Sequence, residues 1–61
     1  MTKQEARIAL SNGEKVIHTS FTDNEFILLN EKQIPYFEDG VQVPYTWWNR
    51  SDLEDGWSIK S

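Results

Sequence analysis

Three tryptophans, a tyrosine and a run of polar residues are concentrated near the C-terminal end of this 61-residue chain. The aromatic members are Tyr45, Trp47, Trp48 and Trp57, and the polar run is Asn49, Arg50, Ser51 and Asp52. An exposed indole can stack on a planar ring, and tryptophan and arginine are enriched at interaction hot spots. The spacing therefore predicts a binding surface in which an indole stacks on a ligand while the polar run supplies hydrogen bonds.

The adjacent pair Trp47-Trp48 is the most informative part of this cluster. If the chain were extended there, the two indoles would point to opposite faces, and a domain this small has little room to bury both. One interpretation places one indole in the core and the other in a contact between subunits. The other leaves an indole free to stack on a ligand, and the residue types fit a base, a peptide or a sister subunit.

Residues suited to catalysis are sparse. The one histidine, His18, has no cysteine to activate, and Ser20 follows two positions later without a third group to complete a triad. The paired carboxylates Glu38-Asp39 and Glu54-Asp55 each precede a glycine, a pattern that turn formation explains. We therefore predict no catalytic residue, no metal site and no cofactor, and we expect that the protein is not an enzyme.

The length bounds the architecture. Sixty-one residues make one domain, residues 1–61, and a chain of this size buries only about 60% of the surface that its unfolded form exposes. The composition, 38% hydrophobic and 13% aromatic, is that of a folded chain rather than a disordered one. Small folds without disulfides or metals depend on an idealised core or a partner subunit. Because the chain has no cysteine, we expect a homo-oligomer.

The charge distribution argues against two kinds of partner. The formal net charge is −4, and eight of the ten acidic residues follow residue 18. No cluster of Lys and Arg is present to displace counterions from duplex nucleic acid, so we expect no such partner. No apolar run approaches the roughly 20 residues of a membrane span, and no signal-peptide pattern opens the chain. We therefore expect a cytoplasmic protein without a membrane partner.

The first predicted element is a helix. Thr2-Lys3-Gln4-Glu5 fits a capping box, with a hydroxyl at the N-cap and a carboxylate three residues later. An apolar stripe at i, i+3 and i+4 follows, formed by Ala6, Ala9 and Leu10. Asn12-Gly13 ends the helix, and Ile8 lies off the stripe. Because alanine is small, this helix can lie close against a sheet.

Strand patterns follow the helix. Candidate strands cover residues 15–18, 24–29, 33–37, 41–43 and 57–59. Asp39-Gly40 is typical of a type I′ hairpin, Pro35 places its strand at an edge or a bulge, and residues 51–54 predict one helical turn. We therefore predict an α+β fold in which one N-terminal helix packs on a small antiparallel sheet of about four to five strands.

Two segments of the chain resemble a family of small phage proteins. The first contains Glu5-Ala6, Ala9-Leu10 and Gly13-Glu14-Lys15-Val16, with Phe21 a few residues later, and is similar to an opening E-A-x-x-A-L-x-x-G-x-K-V motif. The second contains Val43-Pro44-Tyr45, Ser51-Asp52-Leu53 and Asp55-Gly56-Trp57-Ser58-Ile59, and is similar to a closing V-P-W, S-x-x-D-L and D-W-x-I pattern. Over residues 5–21 and 43–59 the chain resembles the Thoeris anti-defence sponge family of the second type.

This resemblance implies a phage-encoded oligomer that sequesters a cyclic ADP-ribose-type signal nucleotide without cleaving it. It implies that a base or ring stacks on an aromatic side chain while the polar run binds phosphate or ribose oxygens. The predicted ligand-binding residues are Phe21, Trp47, Trp48, Asn49, Arg50, Ser51 and Asp52. We expect such a site to lie between subunits, since one short chain cannot surround a dinucleotide-sized ligand.

A second function fits the residues as well. A small acidic phage protein could bind a host defence or replication protein through its aromatic and acidic C-terminal half. Trp47-Trp48 would then be the anchor, and the carboxylates would face a basic groove on the host protein. A third hypothesis, a structural or assembly subunit, has no positive sign in the sequence.

Overall fold

The N-terminal helix, α1, spans Lys3–Ser11 in a computed structural model that describes residues 1–60. The Glu5 N–H donates to Thr2 Oγ1 at 3.2 Å, and the Thr2 N–H donates to Glu5 Oε1 at 2.8 Å. This is the predicted capping box, which satisfies N–H groups that a helix start leaves free. Asn12 is the C-cap and Gly13 follows it, so the predicted end of the helix is confirmed.

Four short strands form one antiparallel sheet. Strand β1 spans Val16–His18, β2 spans Ile27–Leu29, β3 spans Pro35–Phe37 and β4 spans Trp57–Ile59. The order across the sheet is β3-β2-β1-β4, so the last strand lies beside the first. Val16 pairs with Ile27 on one side and with Ile59 on the other. The α+β class is confirmed, and Pro35 lies on an outer strand of the sheet, as its missing N–H predicts.

The strand predicted at residues 41–43 does not form. This segment lies alongside β3 through a single bridge between Tyr36 and Gln42. One further bond accompanies the bridge, in which the Val43 N–H donates to a β3 carbonyl at 3.0 Å. Pro44 follows at once and has no N–H with which to continue a ladder. The sheet therefore has four strands, the lower end of the predicted range.

The turn at Glu38-Asp39-Gly40 is present, but the type I′ geometry predicted for it is wrong. The Gly40 N–H donates to the Phe37 carbonyl at 2.9 Å, and the Phe37 N–H donates to the Val41 carbonyl at 2.8 Å. Within this loop only Gly40 has a positive φ, of 87°, whereas a type I′ turn needs positive φ at two residues. Asp39 instead accepts the Val41 N–H at 3.0 Å, which stabilises a three-residue loop.

The loop between β2 and β3 has the same hydrogen-bond pattern. The Asn30 N–H donates to the Ile34 carbonyl at 3.0 Å, and the Gln33 N–H donates to the Asn30 carbonyl at 3.0 Å. Gln33 occupies the left-handed position with a φ of 65°. Asn30 Oδ1 accepts the N–H groups of Lys32 and Ile34 at 2.8 and 3.0 Å. These side-chain bonds hold the loop although its left-handed residue is not glycine.

The segment after Pro44 is helical rather than extended. Tyr45–Trp48 forms one helical turn, α2, and the Trp48 N–H donates to the Pro44 carbonyl at 3.1 Å. Pro44 has a φ of −66°, and a residue without an N–H suits a helix start. Trp47 and Trp48 therefore lie on a helical turn, and the alternation expected of an extended chain does not apply to them. A 3-10 helix at Ser51–Leu53 follows and confirms the single helical turn predicted there.

The core lies between α1, the sheet and α2. Its buried apolar side chains are Ala6, Ala9, Leu10, Val16, Ile27, Val43, Trp48, Leu53 and Trp57. The alanines let α1 contact β1, β2 and β4, as the apolar stripe predicts, and Ile8 is exposed. Lys3 joins the start of α1 to the C-terminal segment, because its N–H donates to the Glu54 carbonyl at 2.9 Å and its Nζ to Glu54 Oε1 at 3.1 Å.

Two glycines with similar φ angles allow a matched test of how closely β1 approaches the turn before β4. Gly40 and Gly56 have φ values of 87° and 93°. A Cβ at Gly40 would meet no atom within 4 Å. One at Gly56 would lie 2.9 Å from Thr19 Oγ1 and 3.1 Å from His18 Nε2.

We expect Gly40→Ala to lower the free energy of unfolding by about 1–2 kcal/mol, the cost of a left-handed alanine. Gly56→Ala should cost about 1–3 kcal/mol more, because the new methyl also displaces the buried His18 ring from its hydrogen bonds. Urea unfolding of the two variants measures the difference. Equal losses would contradict the close approach at Gly56.

Candidate functional site

Three of the predicted ligand-binding residues line one groove, although Phe21 is far in sequence from Trp47 and Arg50. The groove has a volume of about 440 Å³. We call it the aromatic groove, and its lining residues are Ser20, Phe21, Glu25, Phe37, Glu38, Asp39, Trp47 and Arg50. The loops after β1 and β3 and the helix α2 meet here.

Three aromatic rings converge in the aromatic groove. The Trp47 ring centroid lies 5.1 Å from that of Phe37, at an interplanar angle of 89°, and 6.1 Å from that of Phe21, at 32°. Behind them the buried Trp57 ring lies 6.0 Å from Phe21 and 6.5 Å from Trp47. Aromatic pairs at such separations contribute about 0.5–1.5 kcal/mol each beyond their burial. The core therefore holds the aromatic lining in place.

Three carboxylates line the same groove, and their turns position them. Glu25 Oε1 accepts the Thr22 N–H at 2.9 Å, and Glu38 Oε2 accepts the Asp39 N–H at 3.2 Å. Asp39 accepts a further backbone N–H within its own loop. These three negative charges make the electrostatic potential in the groove negative, which favours a cation over an anion.

Arg50 brings a positive charge to the aromatic groove, but that charge is already engaged. Its Nε–H donates to Asp52 Oδ1 at 3.0 Å, and a second guanidinium N–H donates to Asp52 Oδ2. The guanidinium carbon lies 6.0 Å from the Trp47 ring centroid, so it also covers part of the indole. The two-point pairing uses two of the five guanidinium N–H donors and offsets the positive charge, so a phosphate at Arg50 would share the guanidinium with Asp52.

The other predicted residues lie outside the aromatic groove. Trp48 is buried in the core, where its ring lies 5.2 Å from Trp57. Asn49 lines a separate groove of about 540 Å³ against α1. Ser51 and Asp52 are exposed on the 3-10 helix, and Asp52 reaches the groove only through Arg50. The structure therefore separates residues that are consecutive in sequence.

Sequence reasoning missed Phe37 and the three carboxylates of the groove. Turn formation explains Glu38-Asp39, and nothing in the sequence shows that this turn lies beside Trp47. One local signal was present, because Glu25 precedes an aromatic residue and Glu38 follows one. An acidic residue adjoining an aromatic one at a strand end is compatible with a cation-binding surface.

His18 has a structural role beside this groove. The Ser20 N–H donates to Nδ1 at 3.1 Å, so the ring proton lies on Nε2, which is 2.8 Å from the Asp55 carbonyl oxygen. The ring is buried and its centroid lies 5.0 Å from that of Trp57. Both nitrogens are thus occupied, and His18 joins β1 to the turn before β4.

Within residues 1–60, no group of three or more His, Asp or Glu side chains is placed to hold a metal ion. In the part of the chain that the structure describes, no helix has both the length and the apolar character needed to cross a membrane.

Comparisons with known proteins identify no family for this chain. No family model matches it, and no curated protein or solved structure matches it either. The resemblance to the Thoeris anti-defence sponge family therefore rests on the residues of the two segments that carry it. The functions that this resemblance implies stay predictions.

The Arg50–Asp52 pair leads to a prediction about protonation. Hydrogen bonding from Arg50 lowers the pKa of the Asp52 carboxyl from its ordinary value of 3.8. We expect Arg50→Gln to raise this pKa, as followed by carboxyl-detected NMR titration. Lys32→Gln, which removes an exposed charge from the β2–β3 loop, is the matched control and should leave it unchanged.

The sign of the pH dependence follows from the direction of this shift. A carboxyl whose pKa is lower in the folded state adds stability above its unfolded-state pKa and loses that contribution as the pH falls through the folded value. The contribution of the pair is therefore complete above about pH 4 and declines below it, and it is small because both side chains are exposed. A pKa of Asp52 that is unchanged in Arg50→Gln would contradict the pairing.

Proposed function

We propose that this protein is a non-catalytic binding protein whose aromatic groove takes a basic side chain of a partner protein. The supporting observation is that three aromatic rings and three carboxylates line one groove. A cation over an aromatic face gains about 0.5–2 kcal/mol, and hydrogen bonds to ionised carboxylates add to this. Aromatic rings alone would suit any planar ligand. The three carboxylates are the feature that favours a cationic one.

The charge of the whole chain supports the same kind of partner. The net charge is −4, which extends the attraction for a basic surface beyond the groove. Complementary potentials raise the association rate and make it fall as salt increases. A protein surface rich in Lys and Arg is therefore the favoured partner, and a phage inhibitor of a host protein is one role that such binding would serve.

Sequestration of a cyclic nucleotide is the second candidate, and the joint presence of Phe21, Trp47 and Arg50 in one groove favours it. A base stacked on an aromatic ring there would gain about 1–3 kcal/mol. Its phosphates would meet three carboxylates and would share the Arg50 guanidinium with Asp52. Assembly of subunits would supply further donors, and the exposed Ile8 and Ile59 beside a groove between α1 and β4 offer apolar surface for it.

The two candidates predict opposite effects of Arg50→Gln. For a basic ligand the substitution removes a like charge from the groove, and we expect the affinity to rise about threefold, since a unit charge at about 6 Å in water is worth about 0.7 kcal/mol. For a nucleotide it removes the phosphate partner, and the affinity should fall at least about tenfold. Isothermal titration calorimetry with a Lys-rich peptide and with cyclic ADP-ribose measures both effects.

A matched pair of carboxylate variants completes this test. Glu38→Gln removes a carboxylate of the groove and should weaken peptide binding about threefold. Glu31→Gln removes an exposed carboxylate outside the groove and should have a smaller effect. Absence of peptide binding at low salt, or weaker peptide binding by Arg50→Gln, would refute the proposal. Nucleotide binding that depends on Arg50 would establish the second candidate in its place.

A further inference from the structure

Trp48, the neighbour of Trp47 in α2, lines a different concavity. This concavity has a volume of about 210 Å³ and we call it the Arg7 pocket, lined by Arg7, Leu10, Leu29, Pro35 and Trp48. Four of its five lining residues are apolar, and they come from α1, β2, β3 and α2. An apolar cavity of about 150 Å³ holds a benzene molecule. The Arg7 pocket therefore has room for one ring-sized apolar group.

Arg7 gives this apolar pocket a single positive charge. Its guanidinium carbon lies 5.4 Å from the Trp48 ring centroid, a separation at which a cation interacts favourably with an indole. Within residues 1–60, Lys3 and Arg50 form ion pairs with Glu54 and Asp52, whereas Arg7 forms none. The Trp48 indole thus stabilises the Arg7 guanidinium beside the pocket. The N–H donors of the guanidinium can then bind an acceptor on a ligand.

From this arrangement we infer that the Arg7 pocket binds a small carboxylate whose body is an apolar ring. The ring would lie against Leu10, Leu29 and Pro35, which offer no polar partner apart from the backbone. The carboxylate would accept two N–H bonds from Arg7, because the planar guanidinium matches a carboxylate in a two-point contact. The net charge of the chain is −4, which repels an anionic ligand. The positive charge of Arg7 offsets this repulsion at the pocket.

This site is independent of the aromatic groove. It uses Trp48 and Arg7, whereas the aromatic groove uses Trp47 and Arg50. The two ligands also carry opposite charge. Failure of the proposed function would therefore leave this inference standing, and the reverse also holds.

Benzoate and benzamide test the inference, because they have nearly the same shape and differ in charge. NMR titration of the wild-type chain follows the methyl groups of Leu10 and Leu29 and the Nε–H of Arg7. We expect benzoate to shift these signals, and benzamide to need about a tenfold higher concentration for the same shift, since hydrogen bonds between charged groups are the stronger kind. Equal binding of the two compounds, or shifts that leave Leu29 unaffected, would overturn the inference.

Three charge variants locate the source of this preference. Arg7→Gln should lower benzoate binding about tenfold, to the level of benzamide, and Arg7→Lys should retain only part of the preference because it lacks the planar fork. Lys32→Gln makes the same change of net charge on a loop outside the pocket and should bind as the wild type does. Benzoate binding by Arg7→Gln that equals the wild type would overturn the inference, and the wild-type comparison of the two compounds remains decisive if a variant is unstable.

Discussion

The indole of Trp57 joins β1, α2 and the 3-10 helix at the centre of this small fold. Its Nε1–H donates to the Leu53 carbonyl at 2.7 Å. Its ring centroid lies 5.0–6.5 Å from those of four other rings, which belong to His18, Phe21, Trp47 and Trp48. The backbone N–H of Trp57 donates to the Met1 carbonyl at 3.1 Å. A chain of this length buries little surface, and without cysteine it has no disulfide to stabilise it. A side chain that contacts β1, α2 and the 3-10 helix therefore contributes a large part of the packing in the core.

The same indole packs against both tryptophans of α2. Trp57 contacts both Trp47 and Trp48, and successive residues of a helix lie about 100° apart around its axis. Trp47 therefore lines the aromatic groove and Trp48 lines the Arg7 pocket. Carboxylates line the first, and the second is bordered by the Arg7 guanidinium, which forms no ion pair within residues 1–60. One helical turn thus lies between the two surfaces for which we propose ligands of opposite charge.

Features set by neighbouring residues could be predicted from the sequence, and features set by distant contacts could not. The capping box at Thr2 was predictable, because all of its donors and acceptors lie within four residues. The helical turn at Tyr45–Trp48 was not, since four residues show no periodicity and Trp57 holds them from the far end of the chain. Glu25 and Glu38 come together only because β2 pairs with β3, with Ile27 opposite Phe37.

Hydrogen exchange of the three indole N–H protons, followed by two-dimensional ¹⁵N NMR, tests the central role of Trp57 most directly. Because the Trp57 proton is buried and bonded to Leu53, it should exchange only when the whole chain unfolds, as slowly as the amides of β1. The half-buried Trp47 proton should exchange much faster. A Trp57 proton that exchanges as fast as that of Trp47 would contradict its role as the anchor of the core.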